Sequence, residues 1–457
     1  MNLNNFFNPK RIAVIGVSRN PNKVGHVIFK NLIEAGFEGE VIPINPETSQ
    51  ILHYRCYPSI SKVKKKIDLA IIAIPAEFVL QAVRQCNIHK IKDIVIVTAG
   101  FREIGNALLE DKLKTYLNKN KMRCLGVNCL GHFDAYSKVD TLFLPRYRLQ
   151  RPAAGSISFV CQSGAVGSAI LDIAAEQGHK FSKFISYGNA TNVNESDIIE
   201  YLAQDKTTKV ICLYVEGIQE GNKFFEVTRR VSKTKPIIAI KGGLTSAGGK
   251  ATLSHTGALA GNKAVHLGVF KQTGIIKADS LEEMLNIASL IEKGIKLAGS
   301  RTLIITNGGG YGIIATDNIS ESPHLTMAEL SQSSVEYFKK SFPPTVSNHN
   351  PLDLVGDATT DRYKIALETA LKDKNIDAIL LIVLYQTPLI TTDIVEVISE
   401  LHQEYPKPLI VVSTGAEFTK NLSHALEENS IPVFQFPEDA IKALNKLAWY
   451  ESKRKSL

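Results

Sequence analysis

Cysteine is scarce and scattered: six in 457 residues, none in a CxxC pair or at metal-ligand spacing. That excludes a disulfide scaffold and gives no metal site, and it fits reduced thiols in a cytoplasm. No apolar run approaches the roughly 20 residues that a membrane span needs. The opening Met1-Asn2-Leu3-Asn4-Asn5 lacks the basic-then-apolar layout of a secretory signal, so a cytoplasmic location is expected. Charge of one sign is also limited. The net +8 is modest for this length, and its concentrations at Lys62, Lys64, Lys65 and Lys66 and at Lys453-Arg454-Lys455 have no interleaved aromatics. They read as solvated surface rather than a nucleic-acid site. What is present is ordinary globular composition, 44% hydrophobic and 21% charged. This excludes disorder, and the length suffices for about three domains.

Short β-branched runs alternate with amphipathic stretches along the chain, which predicts parallel sheets covered on both faces by helices. The first set of strands is expected at Arg11–Val17, Glu40–Ile44, Asp68–Ile74 and Asp93–Thr98, with helices such as Val24–Ala35 and Glu77–Cys86 between them. A junction at 132–154 carries Pro145, Pro152 and several arginines. The second set reads Ser156–Cys161, Lys183–Tyr187, Val210–Val215 and Pro236–Ile240. The third follows Gly294–Gly299 with Thr302–Thr306, Ala378–Leu384 and Leu409–Ser413. The expected fold class is α/β, with three consecutive doubly wound domains at 1–131, 155–294 and 300–457. In such sheets ligands bind beyond the carboxyl ends of the strands.

The loops at those ends hold the glycine and polar clusters. Gly16-Val17-Ser18-Arg19-Asn20-Pro21-Asn22-Lys23-Val24-Gly25 is a strand–turn–helix nucleotide site without the GxGxxG spacing. The second strand ends in Ile44-Asn45-Pro46, with no carboxylate to hold an NAD ribose, which disfavours a nicotinamide dehydrogenase. Cys161-Gln162-Ser163-Gly164-Ala165-Val166-Gly167 joins a strand to an apolar helix, where small residues let an anion reach free backbone N–H groups; tight helix–strand packing selects the same residues. Glycines flank the polar stretch from Lys241 to Gly261 and give it freedom to swing, with one imidazole, His255, inside it. Neutral imidazole is nucleophilic near pH 7, and a carboxylate on its second nitrogen would fix its tautomer. Thr306-Asn307-Gly308-Gly309-Gly310-Tyr311-Gly312 lacks the Gly-Lys-Ser/Thr ending of a Walker A loop and is not read as an ATP site.

With Ala73-Ile74-Pro75, Thr98-Ala99-Gly100-Phe101 and Gly126-Val127-Asn128-Cys129-Leu130-Gly131 in order after the first turn, the chain resembles the NDP-forming acyl-CoA synthetases, a superfamily that includes succinyl-CoA synthetase. Ser254-His255-Thr256-Gly257-Ala258-Leu259-Ala260-Gly261 is similar to the phosphohistidine loop of its ADP-forming acetyl-CoA synthetases. The resemblance implies a Rossmann-like CoA-binding domain followed by two flavodoxin-like, succinyl-CoA synthetase-like domains. It implies that Gly16, Ser18, Arg19, Lys23, Pro75, Gly100, Phe101 and Asn128 line the path of CoA. Ser163, Gly164 and Ala165 would cradle phosphate, His255 would carry it, and Glu216, in the family's Glu-Gly-Ile, would orient the imidazole. Some positions depart from the family pattern. Glu47 stands where relatives often have lysine, which shifts the expected positive charge onto Arg19 or Lys23. Cys161 replaces a serine, and Tyr311 a proline.

The implied activity is that of the α subunit of an ADP-forming acetate–CoA ligase: acyl-CoA, ADP and phosphate interconvert with carboxylic acid, CoA and ATP. No segment looks like an ATP-grasp module, so a separate β subunit is expected to supply the ADP/ATP and Mg²⁺ sites, in an α2β2 heterotetramer. A CoA-binding regulatory or scaffold protein of the same fold is the alternative. Succinyl-CoA synthetase proper is disfavoured, because its α chain usually lacks the third segment. The acyl group preferred, ADP against GDP, and the direction of flux are left open by the residues.

Overall fold

The computed structural model describes residues 2–245, 247–248 and 262–457. They form two compact units, one running to Leu281 and including Leu457, the other spanning Glu282–Ser456.

The first unit holds two sheets. The first has β1 (Arg11–Ile15) and β2 (Glu40–Ile44), then a small hairpin, β3 (Gln50–Ile51) and β4 (Tyr54–Arg55), and then β5 (Leu69–Ile72), β6 (Asp93–Ile96) and β7 (Arg123–Gly126). All five main strands are parallel, in the order β2-β1-β5-β6-β7. Every residue of β5 and β6 is buried, as expected where helices cover both faces. The winding reverses between β1 and β5, so a crevice opens there at the carboxyl ends of the strands.

The second sheet repeats this plan with β8 (His132–Asp134), β9 (Ala154–Cys161), β10 (Phe181–Ser186), β11 (Val210–Val215), β12 (Ile237–Lys241) and β13 (Ile276–Lys277), in the order β13-β12-β11-β9-β10-β8. Its reversal lies between β9 and β11. The antiparallel edge strand β8 comes from the stretch read as a junction, and it pairs with β10. The ion pair of Asp134 with Lys183 holds it there, and further buried pairs lie around it. Buried Lys183 on β10 lies 3.1 Å from Asp134 and 2.9 Å from Asp205, and buried Arg151 reaches the equally buried Asp140 at 3.0 Å. Removing one partner of such a pair typically costs about 3–5 kcal/mol, because the other charge is stranded.

One apolar cluster runs through both sheets, from Phe6, Phe7 and Ile12 through Val160 and Tyr187 to Leu213 and Ile275. Burying a side chain of Phe7's size is worth roughly 1.5–3 kcal/mol. Phe7 stacks on Tyr201 at 4.8 Å, while the Phe6 carbonyl meets His132 Nε2 at 2.6 Å. Burial pushes the His132 imidazole down to about 4, which keeps it neutral.

The second unit has its own core, including Leu303, Leu352, Tyr363, Leu381 and Val411. Its strands are β14 (Arg301–Thr306), β15 (Thr326–Met327), β16 (Leu352–Asp353), β17 (Ala378–Ile382), β18 (Leu409–Val412) and β19 (Val433–Phe434). They run β15-β14-β17-β18-β19, with β16 beside the end of β14. The helix Pro437–Arg454 closes the unit with proline in its first turn, Glu438 and Asp439 at its amino end and Lys453 and Arg454 at its carboxyl end. Each charge complements the helix dipole. Among the described residues, no helix is long and apolar enough to cross a membrane.

Candidate active site

The crevices of the first two sheets open into one cavity of about 740 Å³. The first sheet contributes Gly16, Ser18, Lys23, Val24 and Gly25 after β1, Ala73, Ile74 and Pro75 after β5, and Val97 to Ala99 after β6. Gly16 has φ +96°, and a Cβ there or on Gly25 would run into backbone carbonyls, of Ala73 and Gly16 respectively. Glycine at both places brings the start of the helix Val24–Glu34 onto the turn and leaves its amino end facing the cavity. His26 Nδ1 meets the Ser18 carbonyl at 2.7 Å and holds the turn closed.

The second sheet supplies the opposite wall. Ser163 caps the 13-residue helix Gly164–Glu176, its side chain accepting from Val166 N at 3.4 Å. Gly164 and Ala165 follow it into the cavity. Glu216, at the end of β11, lines the same space. Its backbone N–H donates to Gln162 Oε1 at 2.7 Å, and its carbonyl accepts from the buried Lys241 Nζ at 2.7 Å. Burial pushes the Lys241 ammonium down, partly offset by the Glu216 charge. Burial and the adjacent Glu216 carboxylate push the Tyr214 hydroxyl up to about 12, and the two side chains are hydrogen-bonded. Gly188 and Asn189, after β10, complete this wall. Asn189 Nδ2 donates to Glu103 at 2.8 Å and Glu110 at 3.0 Å, and its Oδ1 accepts from Asn128 at 3.3 Å.

The cavity therefore gathers Gly16, Ser18, Lys23, Pro75, Asn128, Ser163, Gly164, Ala165 and Glu216. Three other expected residues stay outside its lining. Arg19 is exposed beyond the turn. Gly100, at φ +112°, donates its N–H to Glu103 at 2.5 Å and turns the chain so that Phe101 is buried in the core of the first sheet. Glu47 is exposed, leaving Lys23 as the lysine at the cavity's first wall. His255 lies outside the described residues. Sequence reasoning did not single out Gln162, Leu130, Phe143 or Asn189, all of which line the cavity. Gln162 stood inside the quoted Gly-rich motif; Asn189 follows a strand end, which is where lining residues are expected. Cys129 also lines it, and burial pushes its thiol up to about 12, which favours the protonated form. Among the described residues no group of three or more His, Cys, Asp or Glu is placed to hold a metal ion.

In the second unit, at the corresponding crevice, the loops after β14 and β17 are tied to each other. Asn307 Nδ2 donates to the Leu384 carbonyl and to Thr387 Oγ1, both at 3.2 Å, and its Oδ1 accepts from Leu384 N at 2.9 Å. A smaller space of about 390 Å³ lies beside the Gly-rich turn, among Thr306, Gly309, Ser347 and Asp353.

Three family profiles tile the chain: a CoA binding domain at residues 10–133, a succinyl-CoA ligase like flavodoxin domain at 154–291 and a ligase-CoA domain at 302–454. The α subunit of acetate–CoA ligase [ADP-forming] I from Pyrococcus furiosus is 35% identical, covering 100% of this chain and 99% of its own length. This chain belongs to the family of ADP-forming acetate–CoA ligase α subunits. The α subunit of form II from the same organism is 34% identical over 96% of each chain. The acetate–CoA ligase [ADP-forming] of Methanocaldococcus jannaschii is 38% identical over 97% of this chain, which spans 62% of that longer protein. Among solved structures, the dinucleotide-forming acetyl-coenzyme A synthetase 1 of Ca. Korarchaeum cryptofilum, in complex with phosphate and ADP, has TM-score 0.93 at 34% identity, covering 99% of this chain and 98% of that one. A Pyrococcus horikoshii OT3 protein has TM-score 0.88 at 32% identity, covering 99% of both chains. In terms of these acetate–CoA ligase domains, the cavity lies between the CoA binding domain and the succinyl-CoA ligase like domain.

Proposed function

We propose that this chain is the α subunit of an ADP-forming acyl-CoA ligase of the acetate–CoA type, reversibly converting acyl-CoA, ADP and phosphate to carboxylic acid, CoA and ATP. One observation carries this reading: two crevices share a single cavity, with a nucleotide-type turn on one wall and a capped helix amino end beside Glu216 on the other. CoA would lie along Gly16, Ser18, Lys23, Pro75 and Asn128, its phosphates near the helix start at Val24. Arg19, Gly100 and Phe101 would act through the shape of the loops around it.

In the ATP-forming direction, a phosphate oxygen attacks the thioester carbonyl carbon. The C–S bond breaks, and CoA leaves as the thiol with a proton from phosphate. A nitrogen of His255 then attacks phosphorus in line; the acyl–O–P bond breaks and the carboxylate departs. Finally the terminal oxygen of ADP attacks phosphorus and the N–P bond breaks, giving ATP. Glu216 holds the second imidazole nitrogen and balances the charge of the phosphorylated ring. Backbone N–H groups at Ser163, Gly164 and Ala165 face the phosphoryl oxygens, an electrostatic preorganisation worth several kcal/mol. Mg²⁺ and the nucleotide would sit on a β subunit with an ATP-grasp fold, in an α2β2 assembly.

The test is labelling with γ-³²P ATP in the presence of the co-purified partner, expected to give an acid-labile, base-stable phosphate on His255. Label retained in His255→Asn, or undiminished turnover by His255→Ala, overturns the proposal.

A further inference from the structure

Gln162 follows β9 and lines the cavity between Ser163 and Glu216, at 9% exposure. Its Oε1 accepts three hydrogen bonds: from Glu216 N at 2.7 Å, Gly217 N at 3.0 Å and the hydroxyl of buried Tyr187 at 3.4 Å. Backbone N–H groups can only donate, so two of them converging on one end of the amide identify that end as oxygen. The other end is then the NH₂ group. Among the described residues, nothing accepts a hydrogen bond from it. A nine-tenths buried side chain thus has one end saturated and the other with donors to spare, beside the capped amino end of the helix Gly164–Glu176.

We infer that Gln162 Nε2 donates to an oxygen of the phosphate in this cavity, while Oε1 holds the backbone of Glu216. The inference rests on the function proposed above and adds to it a residue that joins the two tasks. Helix-end N–H groups attract an anion without fixing its rotation. A further donor from the side would orient it. Being neutral, the amide adds direction without another full charge to trap a group that must be passed on. Its two ends also tie substrate to machinery: any shift of the phosphate that drags Nε2 also pulls on the strand end that carries Glu216.

The substitution Gln162→Glu separates the two ends. It keeps size and an acceptor for the N–H groups of Glu216 and Gly217, and it replaces the donor with an oxygen that repels phosphate. Inorganic phosphate titrated into the full chain, followed by ³¹P line broadening, should bind Gln162→Glu at least tenfold more weakly than wild type. CoA affinity should stay within twofold and serves as the control for folding. Gln162→Met, which loses both ends, should weaken phosphate binding similarly, and it decides the matter should the glutamate variant misfold. Phosphate affinity within twofold of wild type in a variant that still binds CoA overturns the inference, as does a wild-type chain that binds no phosphate. These readouts need no turnover, whereas the proposed function stands or falls on the His255 label, so the two can fail separately.

Discussion

The first two sheets and the third share one winding order, yet the first two open into one cavity of about 740 Å³, while the third has a space of about 390 Å³ beside its Gly-rich turn. At the β14–β17 crevice Asn307 spends its amide on Leu384 and Thr387, and the loops satisfy each other. At the β9–β11 crevice Gln162 turns one end to the backbone and leaves the other end, with the helix start, facing space. Topology therefore supplies a crevice, and a few loop side chains differ in whether they spend their hydrogen bonds on the chain or keep donors for a ligand.

The sharpest way to break this contrast is at Glu216. Replacing it by glutamine should lower the rate of chain phosphorylation on the order of 10³-fold, as expected for the partner of a catalytic imidazole, with CoA binding unchanged in calorimetry. A rate within threefold of wild type would remove Glu216 from the site.

One buried carboxylate in each unit should respond to pH in the opposite sense. Both Glu195 carboxylate oxygens are buried without a hydrogen-bond partner among the described residues, and burial raises the group from 4.5 to about 7. The native state then holds a proton that the unfolded chain releases, so this contribution is full below about pH 4.5 and is lost as pH rises to 7. The shift corresponds to up to roughly 3 kcal/mol. Glu195→Gln should flatten that fall in urea melts of the full chain between pH 4.5 and 8, and an unchanged slope would contradict the assignment. Asp373 in the second unit is the reverse case. Burial works against its charge, but the N–H groups of Asn375 and Ser331 and the Ser334 hydroxyl outweigh it and hold the pKa below 3.8. Its contribution is present above that value and is lost as pH falls below it.

Next in size, Gly25→Ala should cost about 1–3 kcal/mol, because the new methyl meets the Gly16 carbonyl, and it should weaken CoA binding measurably. Asn307→Ala should cost on the order of 1–2 kcal/mol by leaving Leu384 unpaired, with CoA affinity untouched. Loss of CoA binding in the second variant would undo the distinction between the two crevices.

Much of this contrast was legible in the residues. The long β-branched runs gave the central strands, and the glycine turns gave most of the cavity walls. The parts that were not legible share a cause. β13, β15, β16 and β19 are two residues long, too short for any periodicity. β7 reads Arg-Cys-Leu-Gly, with little apolar signal, and β8, three residues long, hides in a proline- and arginine-rich stretch and is secured by the ion pair of Asp134 with Lys183 on another strand. At the site, Phe101 follows a glycine whose positive φ turns the ring into the core, a direction no motif encodes. Gln162 escaped notice because its partners at 216 and 217 come from another strand more than fifty residues away.

The apolar cluster shared by the first two sheets has a mechanical consequence. Jaws rooted in one oily block cannot part about a hinge without wetting it, so a long ligand must thread its way in along the groove rather than be clasped. Small-angle scattering profiles of this unit should then superimpose with and without CoA.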